Sequence, residues 1–329
     1  MKADDRLILI DAYSQIFRCF FAIRSLTNSR GEPVNAAFGF MKLMLRLEKF
    51  YPSTAGAMLF DCSKKSFRNE LLPEYKANRP PMPDDLRSQI PLIKNIAEAF
   101  GWKLFQHEGF EADDLIGGLS KKFTGCPVQI VSSDKDLSQL IDQRVSMLVP
   151  SSDSSTGFEH RGVDEVVKKF GISPELIIDY LALIGDSSDN VPGVPGIGPK
   201  SAADLLNSFG KAEKWMDSLE NLSDSKYYKK LCNETETLKR NRKLIALNTV
   251  LPDELQNISL PEKTAPNWRE ITRICRDNQF RSLLKELPEV TDTEEDFEED
   301  TLFAFAENNA EEIVQQQEAE KSCEQLELF

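Results

Sequence analysis

Short apolar runs, each closing on an acid or a polar residue, punctuate the first half of the chain. Arg6–Ile10 (RLILI) ends in Asp11, the pattern of a strand buried on both faces with an acid at its carboxyl end. Ala55–Phe60 (AGAMLF) repeats that pattern and ends in Asp61. Lys103–Gln106 and Val128–Ser132 (VQIVS) are the next strand-sized runs, and Asp134 and Asp136 follow the second of them. Residues 12–24, 36–50 and 91–100 carry helical spacing, and Gly109-Phe110-Glu111-Ala112-Asp113-Asp114 opens a helix over Leu115–Phe123. This alternation predicts a parallel α/β sheet, whose ligands bind beyond the carboxyl ends of the strands. Asp11, Asp61, Asp134 and Asp136 all fall there, and Glu111, Asp113 and Asp114 begin the helix after a strand.

The second half reads differently. Residues 151–162 form a polar connection, followed by helices over 163–181 and 201–216, a basic helical stretch over 226–248 and a last helix over 268–287. Within it, Leu183–Ala203 joins two devices. Asp186 and Asp189 are three apart and would share a face if the helix from Pro174 reached them. Gly193-Val194-Pro195-Gly196-Ile197-Gly198-Pro199-Lys200 then lets backbone approach a ligand, while its prolines hold off a new helix until near Ser201. The free N–H groups of such a helix start favour phosphate.

The chain has 329 residues, enough for two domains or for one with attachments, and 40% hydrophobic residues supply a core. No apolar run reaches membrane-spanning length, and Met-Lys-Ala-Asp-Asp leads straight into a strand, so no membrane and no signal peptide are expected. Cys19, Cys62, Cys126, Cys232, Cys275 and Cys323 are scattered without a CxxC pair, which argues for reduced thiols in a cytoplasmic protein and against zinc. His107 and His160 are the only histidines, so carboxylates must carry any chemistry. The net charge of −14 is concentrated at one end. Residues 290–329 hold 14 acids and one lysine, which leaves 40 acids and 39 bases over residues 1–289. If nine of those acids gather on metal, the remaining body is about +8 and can carry a basic groove.

Acids from separate strands converge on one edge only when something offsets their repulsion, and hard divalent ions do so. With Asp186 and Asp189 included, nine acids suffice for two ions, which can activate water and stabilise the attacking and leaving oxygens of phosphodiester cleavage. Asp113 and Asp114 would also serve as ordinary N-terminal helix acids. Residues 62–90 add a long insertion in which Lys64, Lys65, Arg68, Lys76, Arg79 and Arg87 are interleaved with Phe67 and Tyr75. Cations contact phosphates and aromatic faces take bases.

Asp11, Asp61, LPEYKANRPPMP, GFEADD, SSDKD and GDSSDNVPGVPGIGPKSA occur here in the order found in bacterial 5′-nucleases. Over about residues 5–290 the chain resembles that family, which includes the 5′→3′ exonuclease domain of DNA polymerase I and is akin to flap endonucleases. It ends where polymerase domains would begin, so it looks like a stand-alone version. The resemblance implies a PIN-like α/β domain over 1–175 with a helical arch at about 62–100. It also implies a helical DNA-binding domain over 176–289 containing a helix–three-turn–helix, and then a disordered acidic tail over 290–329. One Mg²⁺ (or Mn²⁺) would be held mainly by Asp61, Glu111, Asp113 and Asp134. A second would involve Asp136, Asp186 and Asp189, while Asp11 and Asp114 act through water. Lys76 and Arg79 would stabilise the scissile phosphate, Tyr75 would stack on a terminal base and Arg68 would pair with phosphate. Gly196, Ile197, Gly198 and Lys200 would grip duplex, and loop carbonyls there would bind potassium.

The tail ends in Gln325-Leu326-Glu327-Leu328-Phe329, which resembles the motif by which bacterial replication proteins bind the sliding clamp: Gln325 as anchor, then Leu326, Leu328 and Phe329 against an apolar pocket. A flexible tether of about 35 residues reaches about 30–35 Å. The reading is a monomeric, cytoplasmic, nucleoid-associated exonuclease and flap endonuclease. It acts on 5′ flaps, nicks and RNA-primed ends in Okazaki fragment maturation and repair. The rival is a non-catalytic branched-DNA binder recruited to the clamp, which would have lost acids of the cluster; none is missing.

Overall fold

The structure, a computed structural model, describes residues 6–62, 66–223 and 225–289. Met1–Lys285 form one compact unit; the other unit, Glu286–Phe329, includes the acidic run and the QLELF end, which lie outside the described residues. Among the described residues no helix is long and apolar enough to cross a membrane.

The first unit is built on a six-stranded sheet. In chain order its elements begin β1 (Leu7–Asp11), α1 (Ala12–Ala22), α2 (Asn35–Phe50), β2 (Ala55–Phe60), α3 (Phe67–Leu71), α4 (Asp84–Arg87) and α5 (Ile90–Ala99). They continue with β3 (Lys103–Gln106), α6 (Ala112–Lys122), β4 (Val128–Val131), β5 (Val145–Pro150) and β6 (Phe158–Arg161). The strand order is β3-β2-β1-β4-β5-β6, parallel except for the antiparallel edge β6. Leu7, Ile8, Leu9 and Ile10 are fully buried because helices cover both faces of the central strand. The four expected strands form. β5 and β6 extend the sheet beyond them: β6 (FEHR) is too polar to read alone and becomes a strand only by pairing with β5. The chain winds outward from β1 through β2 to β3, then returns to β4 on the other side. The switch point therefore lies between the carboxyl ends of β1 and β4, where Asp11 and the loop carrying Asp134 emerge.

The helical part follows with α7 (Val163–Phe170), α8 (Ile177–Ile184), a two-residue hairpin of β7 (Gly185–Asp186) and β8 (Val191–Pro192), and α9 (Pro199–Phe209). After it come α10 (Tyr228–Asn233), α11 (Thr235–Ile245), α12 (Asp253–Gln256), α13 (Trp268–Asp277) and α14 (Arg281–Leu284). The helix expected over 163–181 breaks at Gly171, which takes φ +73°. α8 stops at Gly185, so Asp186 and Asp189 do not share a helix face. Gly185 has φ +76°, and a Cβ there would stand 2.3 Å from the Gly193 nitrogen, so only glycine permits the reversal into the hairpin. Asn241 of α11 fixes that hairpin by donating to the carbonyls of Ala182 and Pro192.

The C-terminal segment returns to the sheet domain. Lys263 and Thr264 donate backbone hydrogen bonds to Thr54 and Gly101, and Trp268 and Phe280 pack edge-to-face on Phe100 and Phe38.

Candidate active site

The acids reach one rim from five places in the chain. Asp11 ends β1 and caps α1, accepting from the Ser14 N–H at 3.2 Å and the Ser132 hydroxyl at 2.8 Å. Asp61 follows β2 and accepts from the Ala112 N–H at 2.7 Å, at the start of α6. Glu111 caps that helix and Asp113 lies in its first turn, within electrostatic reach of Asp11, Asp134 and Asp61. Asp134 accepts from the Asp136 N–H at 2.8 Å. The hairpin loop adds Asp186 and Asp189, whose carboxylate oxygens lie with one of Asp136 within 4.8 Å of one another.

Electrostatics show what this crowding costs. Burial and then the neighbouring Asp61 push Asp11 up to about 7, despite the Ser132 hydroxyl. Burial, then neighbouring acids, raise Asp113 and Asp136 well above the usual carboxylate range. Burial also raises Asp61 and Asp134. Two acids go the other way. Burial opposes ionisation of Glu111, but Lys76 and Arg68 hold it down at about 2. Burial likewise opposes Asp186, but the Ser188 hydroxyl and Lys135 keep it below the ordinary value. One oxygen of Asp136 is buried without a hydrogen-bond partner. A trio of carboxylates, one of them with an orphaned oxygen and with no histidine or thiol among them, fits a hard divalent cation.

Residues 66–83 lie across this rim. The stretch of about 62–100 expected to form an arch holds α3, α4 and α5, with residues 72–83 joining the first two. Lys76 takes φ +57°, and its N–H donates to the Asp189 carbonyl; Asn78 donates to the Ser187 carbonyl and Asn190 to the Glu74 carbonyl. These bonds present Lys76 to Glu111 and Arg79 to Asp189.

Four expectations are corrected. Arg68 is 2% exposed and binds both oxygens of Asp114 at 2.8 Å while donating to the Leu244 carbonyl, so it is not presented to a phosphate. Asp114 is 1% exposed, with its oxygens taken by Arg68 and by the N–H groups of Asn248 and Glu111, which leaves none for a metal-bound water. Tyr75 is buried with Leu72, Val191 and Leu244, and its hydroxyl donates to Asp189 at 3.0 Å, so it holds a carboxylate in place of stacking on a base. Ile197 is buried, and its N–H donates to the Val194 carbonyl, so it anchors the loop. Gly196 and Gly198 are exposed, as is Lys200 in the first turn of α9. The Gly196 carbonyl, one of those expected to meet potassium, accepts from Lys230 at 2.9 Å.

Arg68→Met should therefore destabilise the fold by about 3–5 kcal/mol, because it strands a buried carboxylate. Urea denaturation reads this directly; a midpoint equal to that of the wild type would return Arg68 to a ligand-binding role.

Two features escaped the sequence reading. Tyr13, Phe17 and Phe21 recur every four residues along α1 and form a ladder leading away from Asp61. Phe17 and Phe21 are nearly parallel at 6.3 Å, and Phe21 is 70% exposed. The four-residue spacing immediately after Asp11 was the available signal. Lys135, between Asp134 and Asp136, pairs with Asp186 at 3.1 Å, which no local pattern announces. A cleft of about 600 Å³ lined by Arg6, Asp142, Arg144 and His160 opens at the opposite end of the strands and contains none of these acids. The chemistry thus belongs to the open rim.

A parallel-sheet fold carrying an all-carboxylate cluster at its switch point, flanked by lysine and arginine, defines a nuclease of the acid-cluster type. The chain belongs to the 5′-3′ exonuclease family: residues 6–171 match its N-terminal resolvase-like domain and residues 172–267 its C-terminal SAM fold. It is 37% identical to the 5′-3′ exonuclease of Aquifex aeolicus over 287 residues, 86% of this chain and 96% of that one. It is 45% identical to DNA polymerase I of Pseudomonas aeruginosa over 206 residues, 62% of this chain and only 22% of the polymerase. Among solved structures, the bacteriophage T5 flap endonuclease complex with DNA and metal ions is similar at a TM-score of 0.62 and 25% identity, covering 83% of this chain and 99% of that one. The catalytic core of Rad2 with DNA substrate shares the fold at a TM-score of 0.53 and 16% identity, over 84% of this chain and 87% of its own.

Proposed function

We propose that this nuclease hydrolyses phosphodiesters at the 5′ ends and 5′-flap junctions of DNA, RNA-primed ends included, with divalent metal. The observation that carries this reading is the trio of Asp136, Asp186 and Asp189 within 4.8 Å, with a buried Asp136 oxygen left unpartnered. Magnesium suits the donors best; held by Asp61, Glu111, Asp113 and Asp134 and by the trio, it would supply water activation and charge neutralisation.

The chain's own groups do the rest. Lys76 and Arg79, fastened at the rim, hold the scissile phosphate and meet the charge that develops on it. Tyr75 keeps Asp189 in position. The ladder ending at Phe21 offers faces to unpaired bases. Gly198 and Lys200, at the start of α9, grip duplex phosphates. Potassium would bind the remaining carbonyls of the Gly193–Lys200 loop, since Lys230 already holds that of Gly196. The enzyme works as a cytoplasmic, nucleoid-associated monomer in primer removal and repair, and the QLELF end tethers it to the sliding clamp, raising its local concentration there.

The test is a 5′-labelled flap duplex incubated with Mg²⁺ or with EDTA. Release of short 5′ products in Mg²⁺ alone is expected. Tight binding of the duplex with no cutting in Mg²⁺ or Mn²⁺ would instead identify a branched-DNA binder.

A further inference from the structure

On the β6 side of the acid rim, Lys169 lies within electrostatic reach of both Arg161 and Lys135, each from a different element. Lys135 is anchored on Asp186. Arg161 closes β6 opposite Met147 of β5. Lys169 lies in the last turn of α7, 5.1 Å from the centre of the Phe170 ring, and Phe170 meets Tyr180 of α8 edge-to-face at 5.7 Å. Tyr180 in turn lies within reach of Lys135. The Phe170–Tyr180 contact thus joins the end of α7 to α8, the helix that leads into the hairpin carrying Asp186 and Asp189, and Lys135 joins this wall to Asp186.

Lys135 is neutralised by Asp186, whereas the other two cations of this wall have no acid of their own. Among the described residues, neither Arg161 nor Lys169 makes an ion pair. The acid facing Arg161 is Glu159, two residues back on the same strand, and it already accepts from the Ser151 hydroxyl. Nη1 of Arg161 is buried and donates to nothing. A buried guanidinium N–H without an acceptor is costly, and like charges gathered this closely repel unless an anion joins them. Burial, then Arg161 and Lys135, accordingly depress Lys169 below the ordinary lysine range. A planar guanidinium beside a flexible ammonium suits a phosphate: the first supplies a fork of donors and the second a point charge.

We propose that Arg161 and Lys169, backed by Phe170 and Tyr180, form a second strand-binding groove that takes backbone phosphates of the nucleic acid beside the acid rim. This rests on the reading of the protein as a DNA nuclease. The groove would hold the strand on the β6 side while Lys76 and Arg79 hold it at the rim, which sets how far substrate extends across the sheet.

The experiment measures binding by fluorescence anisotropy with Ca²⁺ in place of Mg²⁺, over a salt series, for a duplex and for a single strand. Arg161→Gln/Lys169→Gln should lower the slope of log affinity against log salt by about 1–2 and weaken binding about 3–10-fold. Lys169→Gln alone, at an exposed position that tolerates substitution, should lower the slope by about 1. Lys103→Gln, on the opposite edge strand β3, should leave it unchanged. A loss on the duplex arm assigns the groove to duplex phosphates, and a loss on the single-strand arm alone assigns it to the flap. Slopes equal to wild type in both arms, for variants with the wild-type thermal midpoint, overturn the groove. Failure of the wild type itself to bind either DNA would strike at the nuclease reading instead.

Discussion

Asp136→Asn is expected to abolish flap cleavage while leaving DNA binding in Ca²⁺ intact and making the metal-free protein more stable. The three outcomes share one cause. Asp136 brings a carboxylate to within 4.8 Å of those of Asp186 and Asp189, and one of its oxygens is buried with nothing to satisfy it. An amide cannot donate the negative charge that a hard cation requires, and metal assistance is worth several kcal/mol of transition-state stabilisation, or about 10²–10⁴ in rate. Without metal, burial and repulsion from Asp134, Asp186 and Asp189 outweigh the attraction of Lys135 at this carboxylate, so its neutralisation relieves the fold. Calorimetry of EDTA-treated protein separates this from simple damage. A lower midpoint than wild type would attribute lost activity to misfolding, and cleavage within about tenfold of wild type would remove Asp136 from the metal site.

The second expectation concerns pH. The metal-free protein should lose stability as pH rises from about 4 to about 7, opposite to the usual behaviour of buried ion-paired acids. Asp11 has an ordinary value of 3.8 and a folded value of about 7. Between the two, the folded state keeps a proton that the unfolded chain has released, so rising pH favours unfolding. The difference amounts to about 4 kcal/mol for Asp11 if fully expressed. Asp113 and Asp136 shift in the same direction and add to it. Glu111 has the opposite sign: held at about 2, it contributes stability that is present above its ordinary 4.5 and lost as pH falls towards 2. Metal-free stability should therefore peak near about pH 4–5. Saturating Mg²⁺ should raise the thermal midpoint at about pH 8 far more than at about pH 5, because cation and protons compete for the same oxygens. Thermal scans with EDTA and with Mg²⁺ check this. A metal-free midpoint that climbs steadily from about pH 5 to about pH 8 would show that the acids are not packed against one another as described.

How much was legible beforehand depended on the range of the interaction. β1, β2, β3 and β4 were readable because burial on both faces imposes an unbroken apolar run, and the acids that end those runs identified the reactive edge. The Asp186–Asp189 pair was readable as a pair, but its geometry was not. A helix and a hairpin both bring residues three apart together, and only the packing of Gly185 against Gly193 selects the hairpin. Arg68 and Asp114 show the limit most plainly. In sequence each belongs to a functional pattern, a basic insertion and an acid triplet. In space they bind one another across 46 residues, and Arg68 reaches a carbonyl 176 residues away.

By itself, then, the amino-acid sequence determined four strands of the sheet, their acidic carboxyl edge and the family, since these follow from local periodicity and from motifs in a set order. The tertiary structure alone decided which of the nine acids face one another and which is spent on Arg68. It also placed Lys135 on Asp186 and added β5 and β6 to the sheet. Each of these depends on the distance between groups far apart in the chain, and Coulomb and hydrogen-bond energies are set by that distance and by burial, neither of which is written in local pattern.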